Sequence, residues 1–457
     1  LGYPESYYTP PAEGLQEIQI LRGAASLQYG TQFGGLINFI MKKSNPDKKL
    51  DIIARNTVGS NNLYTNFTSV SSNGSKFNYY GYVNYKKGDG FRDNSDFESI
   101  NTYQFLEYNF NESTILSSEF TYLNYLAKQA GGLSDDMFKL DPYQSNRSRN
   151  WFEVDWLLYN LKFKKEFSSR TNFSFSFFGL EAKRNSLGFR TNRVSQIDSG
   201  EERDLIKGNF SNFGFESRLL TNYKALGKKS FFLIGLKYYN SFSSSIQGPG
   251  SNESDANFDF QNSIYPNYTN QSNYTYPNQN IAFFGENIFY LSDKISLTPG
   301  FRFENILTKS DGFYSKINLD GAGNVIYNEK FDENDVKRRN FLLLGLGFSF
   351  KANNNIELYS NISQNYRSVT FADISIINPA YAINPEIDDE KGYTFGLGFR
   401  GNINKKISYD SNIFLLLYED RIGFIQKVFP DGNVKSERGN VGNARISGIE
   451  SLFDFDL

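Results

Sequence analysis

The sequence predicts an all-β fold, a transmembrane antiparallel β-barrel, on three observations. Aromatic residues make up 17% of the 457 residues, yet the mean hydropathy is −0.51, so apolar and polar residues are finely interleaved. Strand-like segments of ten or more residues repeat from about residue 50 onward. The connections between these segments are alternately short and long. A membrane barrel accounts for all three, because each strand faces lipid on one side and every second connection is a tight periplasmic turn.

Residues 1–48 differ from the rest and are predicted to form a compact α+β element followed by a polar linker. Two strand patterns, 15–23 and 36–41, flank a segment with several glycines, which tolerate sharp turns. These glycines are Gly23, Gly30, Gly34 and Gly35. Residues 49–457 are predicted to form a partial barrel of about sixteen strands.

The predicted connections form two series. Short turns are predicted at 72–75, 110–113, 167–170, 225–229, 291–294, 351–355 and 402–406. Long polar stretches are predicted at 87–98, 129–149, 185–208, 243–277, 309–338, 367–389 and 420–440, and the connection at 59–62 is the one short member of this series. A soluble sandwich or propeller gives no reason for such alternation, whereas an outer-membrane barrel requires it.

Alternation within the strands indicates which face meets lipid. In the segments 295–304 and 393–400, apolar residues occupy one face, and polar residues or glycines occupy the other. A charge at the bilayer midplane would cost roughly 2–4 kcal/mol, so Arg302 and Arg400 are predicted to face the barrel interior. A soluble sheet with one buried face would show the same alternation, but not the rhythm of the connections.

The segments IQILRGAASLQYG (18–30) and GGLINFIMK (34–42) resemble the end of the plug domain of TonB-dependent outer-membrane receptors. Residues 440–450 resemble a barrel segment of that family, and residues 131–134, 141–151 and 283–289 resemble its ferric-dicitrate group. The resemblance implies a 22-stranded barrel in the outer membrane of a Gram-negative bacterium, closed by a plug and energised by the TonB–ExbB–ExbD complex. It also implies that the start of the plug and about six strands lie outside this sequence.

The plug-like motif consists of Arg22, Gly23, Gly30, Gly34 and Gly35. The glycines are predicted to let the plug pack tightly inside the barrel. Arg22 is predicted either to anchor a turn within the plug or to pair with a carboxylate of the barrel wall and take part in gating.

The sequence offers no candidate for catalysis. It contains neither histidine nor cysteine, which excludes a histidine-based triad, a thiol nucleophile and the usual zinc and haem sites. The acidic runs at 332–335 and 388–390 lack the ligand spacing of a calcium loop. The net charge of −2 gives no general attraction to nucleic acid. We therefore expect no enzyme activity, no cofactor and no resident metal.

The absence of imidazole and thiol ligands favours a metal already wrapped in an anionic chelator. Arginine can grip the carboxylates of such a chelator in bidentate fashion. The candidate ligand-binding residues lie in the long connections and are Arg147, Arg149, Arg190 and Arg193, with Gln129 and Tyr143 as further hydrogen-bonding groups. The alternative for these arginines is pairing with the loop carboxylates Asp198, Glu201 and Glu202, or with lipopolysaccharide phosphates in the surrounding outer-membrane lipid.

The function predicted first is TonB-dependent active transport of an iron chelate, either ferric dicitrate or a similar siderophore. One alternative is a TonB-dependent importer of an oligosaccharide or peptide, since loop tyrosines could stack on sugars. These tyrosines are Tyr265, Tyr268, Tyr274 and Tyr276. The other alternative is a passive porin, which would not need the plug-like segment.

Overall fold

The computed structural model describes residues 9–21, 27–30, 33, 36–191, 194–353, 355–369, 381–403, 406–429 and 434–456. Strands dominate this part of the chain, which confirms the predicted all-β fold. No helix among the described residues is both long enough and apolar enough to cross a membrane.

A small two-stranded sheet precedes the barrel. A 3-10 turn, Ala12–Gly14, leads into β1 (Leu15–Leu21), which pairs antiparallel with β2 (Leu36–Met41). Both strands lie within the predicted segments. The Lys42 N–H donates to the Gly14 carbonyl at 2.9 Å, so the end of β2 is tied back to the start of β1.

The other strands form one sheet that follows chain order and is curved into a barrel. They are β3 (Leu50–Val58), β4 (Tyr64–Asn73), β5 (Phe77–Gly88), β6 (Phe97–Asn111), β7 (Thr114–Lys128), β8 (Trp151–Ser168), β9 (Thr171–Gly188), β10 (Asp204–Ala225), β11 (Lys228–Pro249), β12 (Asn270–Tyr290), β13 (Ile295–Leu319), β14 (Val325–Asn353), β15 (Ile356–Arg367), β16 (Tyr381–Ile383), β17 (Glu390–Ile403), β18 (Ile407–Val428) and β19 (Val434–Phe455). Within the described ranges only β16 pairs in parallel, with β19. Each of the other sixteen strands has at least one antiparallel neighbour, as predicted.

The alternation of short and long connections is confirmed over most of the chain. Residues 74–76 form a short turn, for example, whereas 129–150 and 189–203 are long. Two stretches predicted as long connections, 309–338 and 420–440, are instead mostly strand, because β13 with β14 and β18 with β19 continue as tall hairpins. Residues 325–330 and 332–336 of β14 are all exposed, so the apolar–polar alternation that signals a strand is lost there.

The exposure of side chains separates the two faces of the barrel. On β17 the apolar residues at 393, 395, 397 and 399 are 41–49% exposed, and Arg400 lies on the opposite face. There it donates to Glu357 of β15 at 3.0 Å. Arg302 is 2% exposed and donates to the carbonyl of Leu27 within the barrel. The prediction that both arginines face the interior is confirmed.

Candidate functional site

The candidate ligand-binding residues lie in two connections at one end of the barrel, which we name loop A (129–150) and loop B (189–203). A third connection at the same end, 250–269, is named loop C. Loop A contains a short helix, α1 (Asp135–Leu140), whose N-cap Ser134 accepts a hydrogen bond from the Met137 N–H at 3.3 Å. The backbone N–H of Gln129 donates to the Asn150 carbonyl at 3.0 Å and closes the base of loop A.

Arg147 and Arg149 of loop A are buried, and their guanidinium groups donate to the other two loops. Arg147 Nη1 donates to the Gln196 carbonyl of loop B at 2.9 Å. Arg149 Nε donates to Asp198 Oδ2 at 2.9 Å, and its Nη1 donates to the Asn252 carbonyl of loop C at 2.6 Å. Arg149 therefore makes the carboxylate pairing that the sequence left as an alternative to ligand contact.

Arg203, at the end of loop B, was not singled out in the sequence. Its side chain is fully buried, and its Nη1 donates to the carbonyls of Arg149 at 3.0 Å and Asp255 at 2.7 Å. Its Nε donates to the Ser251 carbonyl at 2.9 Å. We call Arg147, Arg149, Asp198 and Arg203 the loop clamp, because together they fix three loops by hydrogen bonds to charged groups.

The other candidate residues are more open. Arg190 has a side chain that is 40% exposed, with its Nε 3.6 Å from Oδ2 of the buried Asp204. Tyr143 is 60% exposed and packs edge-on against Phe91, with 6.4 Å between ring centroids. The structure thus brings Arg147 and Arg149 together and leaves Arg190 and Tyr143 accessible. Arg193 lies outside the described residues, and ligand contact by any of the six remains a prediction.

Asp198 carries the negative charge of the loop clamp. Burial alone would raise its pKa, but hydrogen bonds from Arg149 and the Gly200 N–H hold the pKa below the ordinary value of 3.8. In loop C, burial and the neighbouring Asp204 carboxylate raise the pKa of Tyr268, whose hydroxyl donates to Asp204 at 2.8 Å. Near neutral pH the loops therefore contain a charged Asp198 and a neutral Tyr268.

We expect the loop clamp to hold at neutral pH and to open in acid. Because the pKa of Asp198 is lowered in the folded protein, its stabilising effect is complete above the unfolded value and is lost as the pH falls through the folded value. Pepsin cleavage within loop B should therefore accelerate as the pH falls below 3.8. The variant Asp198→Asn should be cut rapidly throughout this acidic range. Equal cleavage rates for variant and native protein at each acidic pH would contradict the expectation.

A second cluster joins the plug-like segment to the barrel wall. Arg302 of β13 donates from Nη1 to the Leu27 carbonyl at 3.1 Å and to the Gln28 carbonyl at 3.3 Å. Arg218 of β10 donates to Gln28 Oε1 at 2.8 Å, and Gln28 Nε2 donates to Glu286 of β12 at 3.3 Å. Three strands of the wall therefore hold one glutamine and its backbone.

The two wall arginines are themselves held in place. Arg218 pairs with Glu216 and Arg302 pairs with Glu304, each at 2.5 Å. Both guanidinium groups lie over the ring of Phe284, at 5.4 and 5.3 Å from its centroid. Gly235 on the adjacent strand makes room for this ring, since a Cβ there would lie 2.4 Å from it. We call Arg218, Phe284, Glu286 and Arg302 the seat.

The seat was not predicted from the sequence, which pointed to the plug-like residues instead. Arg22, Gly23, Gly34 and Gly35 lie outside the described residues, so their roles remain predictions. Among the described residues, no atom lies within 4 Å of a Cβ placed at Gly30. Beyond the seat, Phe33 stacks on Tyr418 of β18 with 4.1 Å between ring centroids.

The tyrosines considered for sugar stacking are not all surface groups. Tyr274 and Tyr276 belong to β12 rather than to a loop, and they are only 5% and 3% exposed. Their rings stack on each other with 5.9 Å between centroids, and the Tyr274 hydroxyl donates to Glu333 at 2.7 Å. The assignment of these two residues to a loop surface was wrong. The polar residues around them made the start of β12 look like part of a long connection.

The acidic run at 388–390 is occupied by internal partners. Asp389 accepts from Arg339 Nε at 2.5 Å and from the Val369 N–H at 2.7 Å, while Glu390 pairs with Arg367 at 3.3 Å. In the part of the chain that the structure describes, no group of three or more acidic side chains is placed to hold a metal ion.

Comparison with known proteins identifies the architecture. The family model described as "TonB dependent receptor-like, beta-barrel" matches residues 44–456. The ferric citrate transporter FecA, unliganded, superposes with a TM-score of 0.75 at 17% identity over 100% of this chain and 63% of its own. The ferric-catecholate import receptor Fiu from K12 E. coli and the siderophore receptor PiuA from Acinetobacter baumannii each give 0.74 at 13% identity, covering 97% of this chain and 67% and 66% of theirs. No curated protein matches significantly. The chain spans less than two thirds of FecA.

Proposed function

Because this chain belongs to the family of TonB-dependent receptor-like β-barrels, we propose that it is part of an outer-membrane receptor that imports an iron chelate by TonB-dependent active transport. The observation that carries the proposal is the seat, which holds residues 27 and 28 inside the barrel. A passive porin has no need of such an inserted segment. The TonB–ExbB–ExbD complex would supply the energy to displace it.

Two further observations support an iron chelate as the cargo. Structures with this fold include one named for ferric citrate and others named for ferric catecholates and siderophores. The chain lacks histidine and cysteine, so it has no imidazole or thiol with which to bind a bare transition metal, and its loops carry arginines suited to a chelator's carboxylates. The proposed ligand is ferric dicitrate or a similar siderophore.

The loop clamp and the accessible residues would have different roles in binding. The guanidinium groups of Arg147 and Arg149 are engaged with loop carbonyls and Asp198, which supports a role in orienting the loops. Arg190, together with Gln129 and Tyr143, would make the direct contacts. The alternative of oligosaccharide uptake is weakened because Tyr274 and Tyr276 are buried.

Titration calorimetry with ferric dicitrate tests this assignment. We expect Arg190→Gln to weaken binding by roughly tenfold to a hundredfold, as for a lost hydrogen bond between charged groups. The matched control is Arg400→Gln, which removes a guanidinium paired with Glu357 on the inner wall, far along the chain from the loops. Unchanged affinity in Arg190→Gln would refute the direct contact. Failure of the native receptor to bind any ferric chelate, with binding of a glycan, would refute the proposed cargo.

A further inference from the structure

The hydrogen-bonded ladder of the wall is interrupted between β14 and β15. The two strands pair from Asn353 up to Gly345, which lies opposite Ser363. On the loop side of Gly345, β14 remains paired with β13 as far as Val325, whereas β15 is paired with β17 as far as Arg367. Within the part of the chain that the structure describes, no backbone pairing joins β14 to β15 on this side. We call this interruption the wall break.

An aromatic ring from β15 fills the wall break. Ile362 of β15 faces lipid and is 47% exposed, and Tyr366 follows four residues later on the same face of the strand. Tyr366 is nevertheless only 4% exposed. Its ring stacks on Phe341 of β14 with 3.7 Å between centroids, and Phe341 lies opposite the buried Glu304 of the inner wall. The Tyr366 side chain therefore passes between the two strands and reaches the barrel interior.

Asp389 ties the two sides of the wall break together at the end of the connection that leads from β15 to β17. It accepts from Arg339 of β14 at 2.5 Å, and it also accepts from the Tyr366 hydroxyl. At the start of the same connection, the backbone N–H of Val369 donates to Asp389 at 2.7 Å. Both described ends of the connection are therefore fastened to each other and to β14.

The inserted segment supports Tyr366 from inside the barrel. Leu27 is 2% exposed and forms one buried cluster with Leu343 of β14 and Tyr366 of β15. Arg302 of the seat donates to the Leu27 carbonyl at 3.1 Å and fixes its position. A buried side chain loses contacts outright when a packed neighbour is removed. Withdrawal of Leu27 would therefore expose the Tyr366 ring to the open lumen and weaken its hold on Asp389.

We propose that four side chains at the wall break form a latch that couples the inserted segment to the connection between β15 and β17. They are Phe341, Leu343, Tyr366 and Asp389. While residues 27 and 28 occupy the seat, Tyr366 is held in the wall break and Asp389 is held on β14. When the segment leaves the seat, Tyr366 is released, Asp389 separates from β14 and the wall break widens.

The coupling must act in both directions. Because coupling free energies are reciprocal, widening of the wall break must in turn weaken retention of residues 27 and 28 in the seat. The inference rests on the displaceable segment of the proposed function and is independent of the cargo. It adds that departure of the segment loosens the wall on the loop side.

Labelling of a buried cysteine measures the coupling in the purified receptor. The chain contains no cysteine, so Ile387→Cys, at a position that is 3% exposed close to Asp389, provides a unique site for a maleimide. Arg218→Ala weakens the seat from β10, four strands away from the wall break. It should speed labelling at position 387 by about tenfold, as for a lost hydrogen bond to a charged group.

The control reporter is Leu187→Cys, which is 1% exposed at the same end of the barrel. Its labelling rate should not change in the Arg218→Ala background. Equal acceleration at positions 187 and 387 would show general unfolding and overturn the proposal. No acceleration at position 387 would overturn it as well.

Ion conductance reads the coupling in the opposite direction. Asp389→Asn weakens the bond to Arg339 at the wall break, so conducting openings of the receptor in planar bilayers should become about tenfold more frequent. The control Asp332→Asn removes a carboxylate whose partner on the same strand, Lys330, is 53% exposed, and it should leave the openings unchanged. An unchanged frequency of openings in Asp389→Asn would contradict the latch.

A disulfide across the wall break tests the latch without changing Tyr366 or Asp389. Gln364 Oε1 accepts from the Leu344 N–H at 2.9 Å, so Leu344→Cys with Gln364→Cys places two thiols side by side. In the Arg218→Ala background, the oxidised pair should return conducting openings to the native frequency, and reduction should restore the excess. Openings that are independent of the redox state would rule the latch out. Neither chelate nor TonB is present in these measurements, so failure of the latch and failure of the proposed function remain distinguishable.

Discussion

Replacing Arg302 by alanine is expected to lower the free energy of unfolding by roughly 3–5 kcal/mol, the usual cost of removing one partner of a buried ion pair. Arg302 is 2% exposed and pairs with Glu304, which is 3% exposed. Its loss would leave that carboxylate without its cation and would free the Leu27 and Gln28 carbonyls. The segment inside the barrel would then be held mainly by Arg218 and Glu286.

Urea unfolding in detergent measures the loss of stability, and ion conductance across planar bilayers measures release of the inserted segment. The control Arg400→Ala removes a side chain that is 55% exposed and also paired with a glutamate. It should change stability by at most about 1 kcal/mol, as for a solvated pair. The double variant Arg302→Ala with Glu304→Ala should recover part of the loss, because no unpaired charge remains. If Arg302→Ala behaved like Arg400→Ala, the seat would not hold the segment.

Replacing Arg203 by alanine is expected to remove the hydrogen bonds that hold loops A, B and C together, while the barrel stays folded. Its guanidinium is fully buried and serves carbonyl groups of Ser251, Arg149 and Asp255. Hydrogen bonds to a charged group are worth roughly 1.5–3 kcal/mol each, so local opening of the loops should become at least about tenfold more frequent. The affinity for the chelate should decrease as well. Loops that become ordered only on binding lose conformational entropy, and this loss makes the free energy of binding less favourable.

Hydrogen exchange of the amides in 194–203 and 250–255 provides the measurement. Arg203→Lys should fall between native and alanine variants, because an ammonium keeps the charge but cannot reproduce the planar fork of donors. Arg170→Ala, in the short turn at the other end of β9, is the control and should leave exchange in these loops unchanged. Equal exchange in Arg203→Ala and the native protein would show that the clamp does not hold the loops.

The transmembrane part of the fold could be predicted from sequence because burial in lipid imposes alternation. We predicted that Arg302 faces the barrel interior because exposing a charge to lipid is costly, and the structure confirms this prediction. The tall hairpin β13–β14 was missed because that constraint ends above the membrane. The seat was missed for another reason. Arg218 and Arg302 come together only through the register of four strands, by way of Gly235 and Phe284.

The candidate loop residues were predicted by chemical type, and their roles were not. Arginine suits a chelator's carboxylate and a loop carbonyl equally well, so the sequence left both uses of Arg149 open. Which one is realised depends on whether loops B and C come within reach, and this is set by connections whose polar sequences carry no periodic signal. Arg203 shows the limit clearly, since nothing distinguishes it in sequence from a solvated arginine.

Because Gly235 has no side chain, the Phe284 ring can lie against β11. The barrel can therefore hold residues 27 and 28 only when its strands are paired in the correct register. Phe284 fits against β11 only where no side chain intervenes, and the neighbouring inward positions on β11 carry Leu233 and Lys237. A two-residue slip of β11 would push a large side chain into the Phe284 ring and displace both guanidinium groups from Gln28. A barrel with this misalignment would consequently fail to hold residues 27 and 28. Errors of strand assembly would then produce open pores that conduct ions.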